Sequence, residues 1–309
     1  MIRVTFLGTA ASRPTVGRNV SSIVVNREGE LLMFDCGEGT QRQMMRYATG
    51  FTLDDIFVTH LHADHFLGVI GLLRTMGLQG REAPMRLWGP PRGGAILREA
   101  VHLGVERVPF EIVIEELAPG DRVARADYDI VAYATRHGQG SIGFALVEHE
   151  RKGRFNLERA RELGVPEGPL FGQLHRGIAV EVNGRVVRPE DVVGPARPGR
   201  TIVYTGDTRP ARETVEAARD ADLLIHDATF ADDEAERAQA TGHSTAREAA
   251  TVARDANVAR LCLTHISSRY AENPRDLERE ARSVFRPTVV AYDGFEVEVP
   301  YRNEDVPGS

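Results

Sequence analysis

Apolar and polar positions along the chain fall into short alternating blocks. Residues 2–7, 22–26, 31–35 and 55–58 are compact apolar runs bounded by Gly, Asn and Asp, which predicts strands. Residues 40–48 and 66–78 read as helices, the second dense in Leu, Ile and Met. Further strands are expected near 85–88, 110–115, 129–134 and 142–148. A second series predicts strand 201–205, helix 209–219, strand 222–226, helix 244–254, strand 259–263 and helix 275–284, then strands near 288–292 and 295–299. Strands that come in runs as well as alternating with helices point to mixed sheets covered by helices. The expected class is α/β, built as a layered sandwich.

The stretch from 150 to 200 breaks this pattern. It is rich in Gly, Pro and Arg, offers one short helical segment at 156–163, and contains the turn sequence Pro166-Glu167-Gly168-Pro169. Between 151 and 200, ten Lys/Arg stand against six Asp/Glu, a net +4 in a chain whose total is −7. The expected organisation is a single domain over 1–309 with a flexible basic arm inserted at 151–200. A plain surface insertion and a functional arm both remain open from composition.

The rest of the composition narrows the class. With 42% hydrophobic and 27% charged residues the chain is an ordinary globular one. Its net acidity excludes a uniformly basic nucleic-acid binder, though not local contacts through an arm. No apolar run approaches the ~18 residues of a membrane span. The start, Met1 to Gly8, reads as a strand and lacks the apolar core of a signal peptide. Two cysteines, Cys36 and Cys262, exclude a disulfide framework and suit a reducing cytoplasm.

The chemistry concentrates in Thr59-His60-Leu61-His62-Ala63-Asp64-His65, between a strand end and an apolar helix. Three imidazoles and a carboxylate so close together would leave unsatisfied polar atoms unless something binds them. His and Asp suit zinc. In extended chain His60 and His62 point the same way, and the turn into the helix brings Asp64 and His65 to a neighbouring point. His137, Asp207 and His265 each follow a predicted strand, at the rim where open α/β layers bind ligands. Seven such groups exceed one tetrahedral site and suit two zinc ions per subunit.

With its His-x-His-x-Asp-His pattern the chain resembles the metallo-β-lactamase superfamily and, within it, the ribonuclease Z family, which trims the 3′ trailer of precursor tRNA. The resemblance spans the chain and rests on Phe6 to Thr9, Phe34 to Gln41, His60 to Gly68, Gly206 to Thr208, His226 to Phe230, Gly242 to Thr245 and Leu263 to Ser267. It implies a four-layer αββα sandwich, a homodimer, and a hydrolysis that leaves a 3′-hydroxyl on the tRNA. It implies that His60, His62 and His137 hold one zinc, that Asp64, His65 and His265 hold the other, and that Asp207 bridges. Asp64 would also take a proton from the attacking water. His243 would donate a proton to the leaving oxygen, oriented by Asp227, which stands where the family usually has Glu. Arg13 and Arg18 in the N-terminal loop, with Gly168, Pro169 and Arg176 in the arm, would contact substrate. The alternatives are a zinc phosphodiesterase acting on small esters, a thioesterase-like or lactamase-like hydrolase, and a non-catalytic RNA-binding protein on the same fold.

Overall fold

Side-chain alternation along the strands sorts the core into layers. The computed structural model describes residues 1–105 and 107–302. In chain order the strands are β1 (Ile2–Gly8), β2 (Ser22–Arg27), β3 (Glu30–Cys36), β4 (Asp55–Phe57), β5 (Met85–Gly89), β6 (Ile112–Glu116), β7 (Arg122–Ala124), β8 (Tyr128–Ala134), β9 (Ile142–Glu148), β10 (Val180–Val182), β11 (Arg185–Val187), β12 (Thr201–Tyr204), β13 (Leu223–Asp227), β14 (Leu261–Thr264), β15 (Thr288–Val290) and β16 (Glu296–Val299). One seven-stranded sheet runs β16-β1-β2-β3-β4-β5-β6 and another β15-β14-β13-β12-β9-β8-β7. Both are mixed: β3 to β6 are parallel, as are β12 to β15, while β1 to β3 and the β9–β12 pair are antiparallel.

Ile23 and Val25 of β2, with Leu32 and Phe34 of β3, join Ile130, Phe144, Ile202 and Ile225 of the other sheet in one buried cluster. Their alternate neighbours Val24, Leu31 and Met33 face the other way, against Met44, Val69, Leu72 and Leu97 from helices. On the second sheet Leu224 and Leu263 pack against Ala246, Ala249, Ala253 and Leu277 of helices Ala246–Asp255 and Arg275–Val284. Period-two alternation thus yields helix, sheet, sheet, helix, and the expected α/β sandwich is the observed architecture.

The chain divides into two compact units, one of Met1–Val147 with the chain from Arg200 on, the other Glu148–Gly199. The second has helices Leu157–Glu162 and Pro169–His175, the β10–β11 hairpin, and a small core that includes Ala160, Leu174, Val180 and Val187.

Several elements differ from expectation. The helix expected at 66–78 is two, Ala63–Phe66 and Gly68–Leu78, broken at Leu67. Helix 209–219 shrinks to Arg212–Ala217, because the chain before it is held in site contacts. Helices Gly94–Val101, Pro169–His175 and Ala235–Thr241 lie where the sequence pattern predicts no element. Pro169 is the instructive case: taken as a breaker, it occupies the helix N-terminus, where its missing N–H costs nothing. Among the described residues no helix is long and apolar enough to cross a membrane.

Candidate metal centre

The C-terminal ends of β4, β8, β12, β13 and β14 deliver their following residues to one rim. His60 lies just past β4, and His62 forms the N-cap of helix Ala63–Phe66, which carries Asp64 and His65. His137 follows β8, Asp207 follows β12, Asp227 ends β13 and His265 follows β14. Ala63 opens a right-handed helix, so nothing there requires a glycine. Gly206 is required: at φ 58 a Cβ would come within 2.6 Å of Thr59 Oγ1.

The seven expected ligands meet in two overlapping sets. Nδ1 of His62 lies 3.1 Å from Nε2 of both His60 and His137. Oδ2 of Asp207 is 3.5 Å from His60 Nε2 and 3.6 Å from His137 Nε2. In the other set Asp64 Oδ2 is 3.5 Å from His65 Nε2 and 3.4 Å from His265 Nε2, while Asp207 oxygens stand 3.3 Å from each of those nitrogens. Metal–ligand bonds of ~2.0–2.1 Å in a tetrahedron imply donor separations of about 3.3–3.4 Å. His65 Nε2 and Asp207 Oδ1 are buried without a hydrogen-bond partner, despite opposite groups at 3.3 Å. Atoms that converge this closely without aligning as hydrogen bonds are aimed at a shared cation. The residues present fit metal ions.

Charge agrees with geometry. Burial would raise the Asp207 carboxyl, yet the imidazoles of His265 and His65 hold it well below the usual carboxylate range. Burial opposes a proton on His65, but Asp207 and Asp35 override it and push the group well above its ordinary value. Each of four rings is also gripped by its other nitrogen. His65 Nδ1 meets Asp35 Oδ2 at 2.7 Å, His60 Nδ1 meets Thr59 Oγ1 at 3.1 Å, His137 Nδ1 meets Gly242 O at 2.9 Å, and His265 Nδ1 meets Thr229 Oγ1 at 2.8 Å. Such outer partners fix ring orientation and tautomer.

His243 stands beside the cluster, its ring 5.0 Å from that of His265 and 4.6 Å from that of His137. Nδ1 of His243 and Oδ2 of Asp227 are 2.9 Å apart, so the shorter Asp side chain reaches its partner. Burial would lower the His243 pKa, but the Asp227 carboxylate pushes it up to about 9. The loop that carries His243 is pinned by Arg209, which donates to His243 O and to both Glu248 oxygens. A cleft of about 680 Å³ opens beside His60, His62 and His137, walled by Leu61, Pro90, Pro91 and Ile96.

The expected substrate-binding residues fall in both units. Arg13 is exposed on the loop whose Ser12 N–H donates to Asp64 Oδ2 at 2.8 Å, and its own guanidinium reaches Ser268. Arg18 corrects the sequence reading. It is 6% exposed, and its guanidinium donates to Thr9 Oγ1, Ala291 O and Ala271 O, so it ties down the loop from inside and offers phosphate no open face. Gly168, at φ 133, precedes helix Pro169–His175 and Arg176 caps its end; all three are exposed in the second unit. Sequence reasoning missed Asp35, Thr59, Thr229 and Arg209. Asp35, Thr59 and Thr229 stood inside recognised motifs without a role, and Asp35 also accepts from Tyr204 OH at 2.8 Å.

A two-sheet sandwich with a His/Asp cluster on its rim defines a metallohydrolase. The model of the metallo-β-lactamase superfamily matches residues 15–265. Ribonuclease Z of Myxococcus xanthus is 55% identical over 305 residues, 98% of this chain and 99% of that protein. Ribonuclease Z of Gemmatimonas aurantiaca is 58% identical over 304 residues, 97% of each. The crystal structure of the short form of human tRNase Z superposes with a TM-score of 0.70 at 29% identity, over 96% of this chain and 99% of that one. The chain belongs to the metallo-β-lactamase superfamily and, within it, to the ribonuclease Z family, hydrolases that act on RNA.

Proposed function

We propose that this protein is a two-zinc endoribonuclease that removes the 3′ trailer of precursor tRNA, hydrolysing one phosphodiester and leaving a 3′-hydroxyl on the tRNA. The observation that carries the reading is the meeting of seven donor side chains with the His243–Asp227 pair on one rim. His60, His62 and His137 would hold one zinc, Asp64, His65 and His265 the other, with Asp207 shared. Bound zinc would supply a lowered pKa for water and a positive charge to meet the phosphate. Asp64 would take the proton of the attacking water. His243 would give its proton, from Nε2, to the departing ribose oxygen, while Asp227 holds Nδ1–H. Arg13 would touch the substrate near the site, and Gly168, Pro169 and Arg176 would hold the tRNA.

The two cysteines are buried and free, which supports a cytoplasmic setting. Family membership supports a homodimer. On helix Gly68–Leu78 the residues Val69, Leu72, Leu73 and Met76 are buried core, which leaves Leu67 and Leu78 as the exposed apolar positions there. The test pairs metal analysis of the purified protein with cleavage of a tRNA bearing a 3′ trailer. Two zinc ions per chain and a product ending at a 3′-hydroxyl are expected. A metal-free protein, or a product ending in a 3′-phosphate, would sink the reading.

A further inference from the structure

One carboxylate bonds directly to one of the two imidazoles to which the proposed chemistry gives different tasks, and reaches the other through a threonine hydroxyl. Asp227 is fully buried, and its two oxygens accept four hydrogen bonds. Oδ1 receives the Thr229 hydroxyl at 2.7 Å and the Thr229 N–H at 2.9 Å. Oδ2 receives Nδ1–H of His243 at 2.9 Å and the Thr208 N–H at 3.1 Å. A carboxylate has no proton to give, so the direction of each bond is forced.

That direction propagates. Thr229 has one hydroxyl proton, and it goes to Asp227. In its 2.8 Å contact with His265 Nδ1 the Thr229 oxygen can therefore only accept. His265 must carry its proton on Nδ1, which leaves the Nε2 lone pair facing Asp64 at 3.4 Å and Asp207 at 3.3 Å. Among the described residues Thr229 is the acceptor in place to do this, since Asp227 Oδ1 lies 4.0 Å from His265 Nδ1, beyond hydrogen-bond reach. His265 also sits at φ 58, a left-handed backbone that a non-glycine residue holds only when its surroundings impose it.

We propose that Thr229 is a positioning residue that relays the Asp227 carboxylate to His265, fixing the tautomer and ring orientation this ligand needs, while the same carboxylate orients His243. The inference rests on the two-zinc reading above. It makes the acid and one metal site share a hinge point, so damage at Thr229 is felt at the metal although Thr229 binds none. Without the hydroxyl, His265 Nδ1–H has no acceptor. The ring is then free to turn, or to place its proton on Nε2, where it cannot bind metal.

Thr229→Val keeps the branched shape and removes the O–H; Thr229→Ser keeps the O–H and removes the methyl. Zinc affinity of the full-length variants is measured by chelator competition, alongside kcat and KM on trailer-bearing tRNA. Thr229→Val is expected to weaken one of two zinc sites by ~10–100-fold, and to lower kcat more than it raises KM. Thr229→Ser is expected to restore both. Thr229→Ala is judged by the same criteria if Thr229→Val does not fold. Wild-type zinc affinity in the variant lacking the hydroxyl, or equal loss in Thr229→Ser, would overturn the relay and leave the function standing. A wild-type protein that binds no zinc would take down the function and the relay together.

Discussion

At the scale of the residue, the His243–Asp227 pair tests whether the site performs acid catalysis. Its 2.9 Å bond shows that a carboxylate one methylene shorter than the family's Glu still reaches the imidazole. Substituting His243→Ala should lower the single-turnover cleavage rate by ~10²–10⁴-fold, with zinc content unchanged by metal analysis. Retained zinc with an unchanged rate would exclude the acid role. The ligand run His60 to His65 was legible because four coordinating groups in six residues have no packing explanation. The residues that steady those ligands were not legible. Asp35 grips His65 across 30 residues and Thr229 grips His265 across 36, and only the folded chain supplies such pairings. Arg18 misled for the same reason, since a loop arginine shows its charge in the sequence and its burial only in three dimensions.

At the scale of the element, a charged tie in the first sheet is Asp55, at the start of β4. Its carboxylate accepts two bonds from Arg86, at 2.8 and 2.9 Å, one from Trp88 Nε1 at 2.7 Å and one from Arg125 at 3.0 Å. Burial would raise its pKa, but bonds from Arg86 and Trp88 and the charge of Arg125 lower it below the ordinary value. A carboxyl lowered by folding stabilises the fold fully above its unfolded pKa of ~3.9 and loses that contribution as pH falls through the folded value. Asp55→Asn should therefore cost about 3 kcal/mol at pH 7, and this gap to the wild type should start to narrow below about pH 3.9 and close as pH falls through the lower folded value. Urea melts at several pH values would measure it; a gap independent of pH would refute the assignment. In the helical layer, Leu72→Ala should cost ~2–5 kcal/mol by leaving a cavity, read from the same melts. Strands and apolar helices were legible because periodicity reports burial directly. Helix Ala235–Thr241 was not: only Ala238 of its residues is buried, so no apolar stripe marks it.

At the scale of the molecule, charge and metal divide the work. The +4 segment from 151 to 200 sits in a chain of −7, and most of it forms the separately packed unit Glu148–Gly199. Because Val147 and Thr201 are paired across β9 and β12, a short turn can close the chain where that unit is removed. Removal should raise KM for precursor tRNA strongly, with turnover of a small phosphodiester nearly intact. Cleavage of tRNA should weaken with added salt far more than small-diester turnover. Equal effects on both substrates would reject a tRNA-gripping role for the unit. Stripping the metal with a chelator should abolish both activities and lower Tm, since ligands that bind only the folded state stabilise it; readdition of zinc should restore both.

The seven donors come from distant parts of the chain: four lie between positions 60 and 65, and the last at 265. During synthesis the early motif is made long before β14 exists to present His265. In the proposed assignment the second donor set stays one ligand short until β14 has been made and folded. A nascent or truncated chain ending before His265 therefore carries the visible motif of a nuclease but cannot assemble its full centre. Under the proposed ligand set, the centre is complete only once β14 is in place.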